Sequence, residues 1–212
     1  ERYTCVGWSA IRKIDHMAFV QPTFVGREQL LDQYRTAISR YAQGQSSHLI
    51  WNLHAITGMG KTWFGRRLFA DVTLRQQCAC AWISFEPGTV LPASPDADSV
   101  PSVVTAEHAF REIFTKLAAQ SNQESQIVPP SALAELPVEY ELAANSAKRL
   151  VVFFDAVNAI EQRLDATTSE EAWDALQEQI IGRLVAQGAL IIAISQGPLV
   201  WTLWELHQAS HP

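Results

Sequence analysis

The chain has 212 residues, which is enough for one hydrophobic core and about one domain. A hydrophobic content of 48% with 18% charged residues indicates a globular protein rather than a disordered one. The net charge of −6 argues against a broad basic surface for nucleic acid, although it leaves room for a local basic patch. No apolar run approaches the roughly 18 residues of a membrane span, so we expect no membrane contact.

The first part of the chain, residues 1–20, has weak hydrophobic patterning, and we interpret it as a lead-in segment before a domain over residues 21–212. Because the sequence begins with Glu1 rather than Met, we expect it to be a piece of a longer, multidomain protein. No signal-peptide pattern opens it.

Helical and strand patterns alternate from residue 24 onward. Short apolar runs predict strands over residues 48–54, 79–85, 149–155 and 189–195. Helical spacing of apolar residues predicts helices over residues 24–41, 62–76, 105–119, 135–145 and 168–187, with a last helical stretch ending at Pro212. Polar, proline-containing stretches predict loops over residues 86–104 and 121–132. This alternation favours an α/β fold with a mainly parallel sheet.

Several residues mark where these helices begin and end. Thr105 can cap the helix that follows it, and Thr168 with Glu171 forms the pattern of a capping box. Gly188 supplies a stop signal after residue 187. The predicted helix boundaries rest on these residues.

The three cysteines, Cys5, Cys78 and Cys80, give no disulfide framework. Cys78 and Cys80 could contact a metal, but no cluster of His or Cys lies near them in sequence. We expect buried or partly exposed thiols and a cytoplasmic protein, because a reducing compartment keeps thiols free.

The segment AITGMGKT, residues 55–62, is close to the phosphate-binding pattern G-x-x-x-x-G-K-[ST], but Ala55 replaces the first glycine. A strand precedes the segment and a helix follows it, which is the context that the motif requires. Gly58 and Gly60 allow the backbone N–H groups to converge on one anion. An alanine at position 55 is tolerated if its φ angle is negative and strained if it is positive.

Each remaining residue of the motif has its own chemistry. Lys61 can reach the β- and γ-phosphates of a nucleotide, and the Thr62 hydroxyl can bind Mg²⁺. Asp155 ends the apolar run LVVFF and supplies the acid that such a site needs for Mg²⁺. The alternatives are an exposed lysine after a glycine turn and an acid that caps a turn.

Hydrolysis needs a further group that orients the attacking water. Three residues after Asp155 stands Asn158, which can align a water but cannot accept its proton, and the nearest carboxylate is Glu161. Ser195 or Gln196, at the end of strand 189–195, could contact the γ-phosphate, or the strand could simply end at Gly197 and Pro198. Turnover is therefore expected to be slow or absent.

Four segments in this order resemble the STAND class of signalling NTPases, relatives of the AAA+ and origin-recognition ATPases. FVGREQLL (residues 24–31) resembles the family's hhGRE box, and HAITGMGKTWF resembles its Walker A motif. RLVVFFDAVNAIE resembles Walker B, and ALIIAISQGPLVW is similar to the sensor-1 strand with its Gly-Pro continuation. Together the four motifs span about residues 20–205.

The resemblance implies a three-layer P-loop NTPase fold with a mainly parallel sheet of order 5-1-4-3-2. Strand 189–195 would lie between strands 48–54 and 149–155, strand 79–85 would lie outside strand 149–155, and the fifth strand would follow residue 212. Strand 48–54 would then have an open edge, which promotes association.

The resemblance also implies an ATP- or ADP-binding site with Mg²⁺ at Thr62 and Asp155. Adenine would lie near the first three of the binding residues, which are Phe24, Val25, Gly26, Thr57, Gly58, Met59, Gly60, Lys61, Thr62, Trp63 and Gln196. Lys61, Asp155 and Asn158 would act on the reacting phosphate. Many family members carry an acid where Asn158 stands and an arginine where Gln196 stands, which favours binding with weak hydrolysis.

Family members act as ATP/ADP switches that assemble partners or release an effector, so we expect contacts with other domains of a longer chain. One alternative is an active ATPase completed in trans by a partner in a homo-oligomer. The other is a scaffold that keeps the fold for protein contacts, with Trp201 and Trp204 on one helix face. Core packing is the ordinary role of two such tryptophans.

Overall fold

A computed structural model describes residues 27–46, 48–88, 101–121, 131–143 and 149–201, together with residues 206, 208 and 209. The lead-in segment, Phe24, Val25, Gly26, Cys5 and Trp204 lie outside the described residues. Predictions that concern these positions are therefore not addressed by the structure.

The described residues form a central mixed sheet of six strands in the order β1-β6-β5-β2-β4-β3. The strands are β1 Ile50–His54, β2 Ala79–Ser84, β3 Ser102–Thr105, β4 Pro137–Ala143, β5 Leu150–Asp155 and β6 Leu190–Ser195. Strand β6 pairs in parallel with both β1 and β5, and β5 pairs in parallel with β2. Strands β4 and β3 extend the sheet beyond β2 through antiparallel pairs.

Helices surround this sheet. They are α1 Glu28–Ala42, α2 Lys61–Phe69, α3 Val72–Gln77, α4 Ala106–Ser121, α5 Ser131–Ala134, α6 Ala159–Arg163, α7 Ala166–Ala175 and α8 Gly182–Ala186, with a π-helical segment Leu176–Ile181 between the last two. Residues of α1, α2 and α3 share one apolar cluster with one face of the sheet, and those of α4 to α8 share another with the opposite face. Strands β2, β5 and β6 are buried along their whole length, because helices cover both faces.

Helix α2 lies unusually close to the sheet at Gly65. A Cβ atom added there would overlap the Ile194 side chain and come within 3.2 Å of the Trp82 ring. A side chain at position 65 would require the Ile194 side chain to shift, so glycine permits this close approach of α2 to β6 and β2.

The prediction of a mainly parallel sheet is not confirmed, since two of the five strand pairs are antiparallel. The predicted helix over residues 135–145 is wrong, because residues 137–143 form strand β4. The predicted loop over residues 86–104 includes most of β3. In β4 the side chains of Glu139 and Glu141 alternate with those of Val138 and Tyr140, and this period of two is a strand signal that helix-forming residues obscured.

The helix boundaries differ from the predictions in two places. The predicted helix over residues 62–76 is two helices, because Asp71 caps α3 by accepting from the amides of Thr73 and Leu74. Helix α7 begins before the predicted capping box, since Asp165 accepts the amide and the hydroxyl of Thr168. Thr105 caps α4 as predicted, accepting from the amide of His108 at 3.3 Å.

The cysteine thiols of the described part, Cys78 and Cys80, are both free and buried. Burial raises the pKa of Cys80 to about 12, so this thiol stays protonated and unreactive. Trp201 is also buried and stacks on Trp173 with ring centroids 5.7 Å apart. Trp201 therefore has a role in core packing.

Candidate functional site

The glycine-rich loop lies between the end of β1 and the start of α2. Gly58 and Gly60 have φ angles of 84° and 72°, in the left-handed region that side chains disfavour. Gly60 is the residue that precedes the first turn of α2. A Cβ at Gly58 would meet no atom within 4 Å, so the backbone conformation, rather than space, requires glycine there.

Ala55 adopts an ordinary backbone conformation, with a negative φ angle. Among the described residues, Ala156 is the one residue other than glycine that has a positive φ angle. The methyl group of Ala55 therefore imposes no backbone strain, and the loop turns without a glycine at this position.

Lys61 and the first turn of α2 surround the loop with hydrogen-bond donors. The Lys61 ammonium group donates to the carbonyl of Ile56 at 3.1 Å, so the side chain folds back over the loop. The amide of Phe64 donates to the carbonyl of Gly60 at 3.0 Å and starts the helical pattern. Amides earlier in a helix have no acceptor within it, and the positive end of the helix dipole lies there. The arrangement suits an anion.

The other residues predicted to bind nucleotide in this loop lie at its surface. Thr57 and Met59 are exposed, and Trp63 is half-buried in the first turn of α2. The carbonyl of Met59 accepts a hydrogen bond from the guanidinium of Arg27. Arg27 directly precedes α1, so this contact joins the start of α1 to the glycine-rich loop. Arg27 is the arginine of the GRE segment, for which the sequence predicted no contact with the loop.

Thr62 and Asp155 meet beside the loop. The Thr62 hydroxyl donates to Asp155 Oδ1 at 3.1 Å, from the first turn of α2 to the end of β5. Asp155 is 2% exposed. The two residues predicted to bind Mg²⁺ are thus adjacent. They offer a hydroxyl oxygen and a carboxylate oxygen, and Mg²⁺ takes oxygen ligands.

The carboxyl group of Asp155 is buried without an ion pair among the described residues. Burial raises the pKa of Asp155 to about 6, against the opposing effects of the Thr62 hydrogen bond and the charge of Arg66. A buried carboxylate in this position is costly to ionise, and a cation would favour its charged form.

Asn158 and Gln196 also lie together, at the ends of β5 and β6. Asn158 Oδ1 accepts the backbone amide of Gln196 at 3.2 Å. The Ser195 hydroxyl donates to the carbonyl of Gly197. Asn158 and Ser195 therefore tie the end of β6 in place, and the side chain of Gln196 is exposed.

A cavity of about 370 Å³ opens beside Asn158 and Gln196. Its lining includes Trp173 and Glu161, which is the exposed carboxylate nearest in sequence to Asn158. The cavity is formed where β5 and β6 end, the place at which ligands bind in sheets of parallel strands.

Four polar residues near the site were not found from the sequence. Arg66 lies on α2, Ser84 ends β2, and Glu139 and Glu141 lie on β4. Ser84 aligns with Asp155 on one side and with Glu139 on the other. The alternation of Glu139 and Glu141 with apolar residues indicates a strand with both carboxylates on one face. The incorrect helix prediction for this segment left that pattern unused.

Within the ranges that the structure describes, no group of three or more His, Cys, Asp or Glu side chains is placed to hold a metal ion. No helix in the same ranges is long and apolar enough to cross a membrane. No protein-family model, curated protein or solved structure matches the chain.

Proposed function

We propose that this protein binds ATP or ADP with Mg²⁺ and acts as a nucleotide-dependent switch module of the STAND type, with weak or absent hydrolysis. The observation that carries the proposal is the 3.1 Å contact between Thr62 and Asp155 beside a glycine loop at the start of a helix. This combination provides for a phosphate and its cation together.

The loop would hold the phosphates through its backbone amides and Lys61. Gly58 and Gly60 have the left-handed conformations that let successive amides turn toward one point. Lys61 contacts a single carbonyl, that of Ile56, and its side chain could exchange this contact for a phosphate oxygen.

Thr62 and Asp155 would hold Mg²⁺, with water and phosphate oxygens completing its shell. The cation would neutralise the charge of the β- and γ-phosphates. The fit of these two residues rests on their contact and on the burial of Asp155, which has no ion pair with any residue that the structure describes. A three-ligand protein cage is not required for this cation.

The parallel part of the sheet supports a P-loop NTPase core. Strands β1, β6, β5 and β2 are consecutive and parallel, as four strands of the order 5-1-4-3-2 would be. On this proposal a fifth strand would pair with the open edge of β1, and β4 with β3 would be an addition to the opposite edge. The nucleotide would then lie above the carboxyl ends of β1, β6 and β5.

The start of α1 supports a base site near Phe24, Val25 and Gly26. Arg27 donates to the carbonyl of Met59, which places the residue after Gly26 against the phosphate-binding loop. A base held by that segment would be within reach of phosphates held by the loop.

Weak hydrolysis follows from the groups at the end of β5. Ala156, which follows Asp155, has no side chain that can accept a proton. The side-chain Oδ1 of Asn158 already accepts a hydrogen bond from the backbone amide of Gln196. A water beside the γ-phosphate would lack a base from this segment, so bound ATP would persist and its presence could be read by other domains or subunits.

The test is calorimetric titration of the protein with Mg·ATP and Mg·ADP. Lys61→Ala should abolish measurable binding without unfolding the protein, because Lys61 is partly exposed and makes one hydrogen bond. Lys116→Ala is the matched control, since Lys116 lies on α4 against the other face of the sheet.

Binding that depends on Lys61 and not on Lys116 would support the phosphate site. A ligand present at about 100 times its dissociation constant should also stabilise the fold by about 2.7 kcal/mol. Equal affinity in the Lys61→Ala variant and its parent would refute the assignment.

A further inference from the structure

Three buried carboxylates and two arginines lie around α2 and the strands beneath it. The exposed fractions of Glu139, Glu141 and Asp155 are 2%, 3% and 2%. Arg66 and Arg75 are the cations that form ion pairs with this group. Buried charges are stable only when opposite charges or hydrogen bonds compensate them.

Arg66 is held in place from three sides. Its guanidinium pairs with Glu139 and, at 3.0 Å, with Glu141. It also lies over the ring of Trp82, 4.2 Å from the ring centroid. Arg75 supplies a second cation to Glu141 at 3.3 Å. Among the residues described, Glu141 therefore has two cationic partners, whereas Glu139 has Arg66.

The pair of Arg66 and Glu139 adjoins the proposed magnesium site. Arg66 is four residues after Thr62 on α2, so the two side chains lie on one face of the helix, one turn apart. Glu139 aligns with Ser84 across the β4–β2 pair, and Ser84 aligns with Asp155 across the β2–β5 pair. The three side chains of this row point to the same face of the sheet, toward α2.

The buried carboxylates of this group outnumber its arginines, and Asp155 is the carboxylate without an ion pair among the described residues. Three carboxylates against two guanidinium groups leave one negative charge when all are ionised. Both glutamates have ion pairs, while Asp155 has none within the described ranges. The charge of Arg66 acts on Asp155, but its guanidinium is held by the glutamates.

We propose that Glu139 is a positioning residue that holds Arg66 away from Asp155 and so keeps the Asp155 carboxylate available to Mg²⁺. If Glu139 were neutral, Arg66 would lose a partner and could pair with Asp155. An arginine on Asp155 would compete with the cation. This inference rests on the proposed function, because it assumes the magnesium site at Thr62 and Asp155.

The first test measures how Mg²⁺ changes the affinity for ATP in Glu139→Gln, by titration with ATP in the presence of Mg²⁺ and in EDTA. We expect the metal-dependent part of the affinity to fall by about 10- to 100-fold, the size of effect that outer residues have when they keep a metal ligand available. Glu107→Gln is the control for the loss of one ion-paired carboxylate, because Glu107 pairs with Arg111 on α4, on the other face of the sheet. Equal losses in the two variants would overturn the proposal.

The second test is rescue by removal of the arginine. Arg66→Gln combined with Glu139→Gln should recover the metal dependence of the parent, because no guanidinium remains to compete for Asp155. A double variant as weak as Glu139→Gln would contradict the proposal, since it would mean that Glu139 acts by holding the fold. If the Glu139→Gln single variant does not fold, the metal dependence is measured in the double variant instead. Glu139→Asp, which keeps the negative charge, should retain the metal dependence of the parent.

The third test needs neither metal nor nucleotide. In the parent at pH 8, Asp155→Asn should raise the midpoint of thermal unfolding, because it removes a buried unpaired charge. In the Glu139→Gln background the same change should lower the midpoint, because it removes the new pair with Arg66. The same sign in both backgrounds would overturn the inference, and parent protein that binds no nucleotide would refute the proposed function separately.

Discussion

The hydroxyl of Thr62 lies 3.1 Å from a carboxylate oxygen of Asp155, although 93 residues separate them. The contact links the first turn of α2 to the end of β5, so it depends on the helix lying against the sheet. It brings a neutral and a charged oxygen to the side of the glycine loop. Four expectations follow from this relationship and from the close packing around it.

Replacing Asp155 with Asn should remove the effect of Mg²⁺ on ATP binding. The amide keeps the size of the side chain but lacks the charge that a divalent cation requires. Binding of ATP in EDTA should change little. Titrations with and without Mg²⁺ would measure this, and an Asp155→Asn variant in which Mg²⁺ still tightens binding would show that another residue is the ligand.

The stability of the nucleotide-free protein should depend on pH through Asp155. Its pKa is about 6 in the folded state and 3.8 in the ordinary case, so the folded state binds the proton more tightly. The resulting stabilisation is fully present below pH 3.8 and is lost as the pH rises through 6. The difference of about two pKa units corresponds to about 3 kcal/mol.

Denaturant unfolding at pH values between 4 and 8 would test this dependence. Burial also raises the pKa of Glu139, so part of the slope should persist in Asp155→Asn. The variant should nevertheless show a shallower fall than the parent. Identical slopes would mean that Asp155 does not titrate as its burial implies.

Replacing Ala55 with Gly should not improve nucleotide binding. Ala55 has a negative φ angle, so a glycine would relieve no strain and would only add freedom to the unfolded chain. We expect a loss of about 0.5–1 kcal/mol in the free energy of unfolding and little change in affinity. The contrasting variant is Gly60→Ala, which should lose both stability and affinity because its φ is 72°. Much tighter binding by Ala55→Gly would show that the missing glycine matters.

Replacing Gly65 with Ala should push α2 away from the sheet. The new methyl group would overlap Ile194, which is 1% exposed, and we expect a cost of about 1–3 kcal/mol in the free energy of unfolding. Affinity for nucleotide should fall as well, because α2 carries Lys61 and Thr62.

Ile194→Val provides the matching rescue. It removes the Cδ1 atom that the new methyl group would meet. The double variant should be more stable than the sum of the two single changes predicts, by a coupling of at least about 0.5 kcal/mol. Additive losses would mean that the helix and the sheet do not meet at this point.

The sequence by itself determined the parts of the site that are local. The motif at residues 55–62 predicts its loop because only glycine accepts left-handed backbone angles without strain, and the helix after it begins at Lys61 as the pattern requires. The apolar run before Asp155 predicts a strand buried on both faces, and β5 is one. These signals depend on residues within one turn or one strand of each other.

Only the tertiary structure decided how distant segments meet. Glu139 lies beside the site because β4 pairs antiparallel with β2. The sequence of residues 137–143 alone does not indicate with which strand it pairs. Asn158 became a fixed contact of Gln196 because β5 and β6 end side by side. The physical reason is that cross-strand pairing depends on contacts between residues far apart in the chain, whereas helix starts and strand periods depend on neighbours.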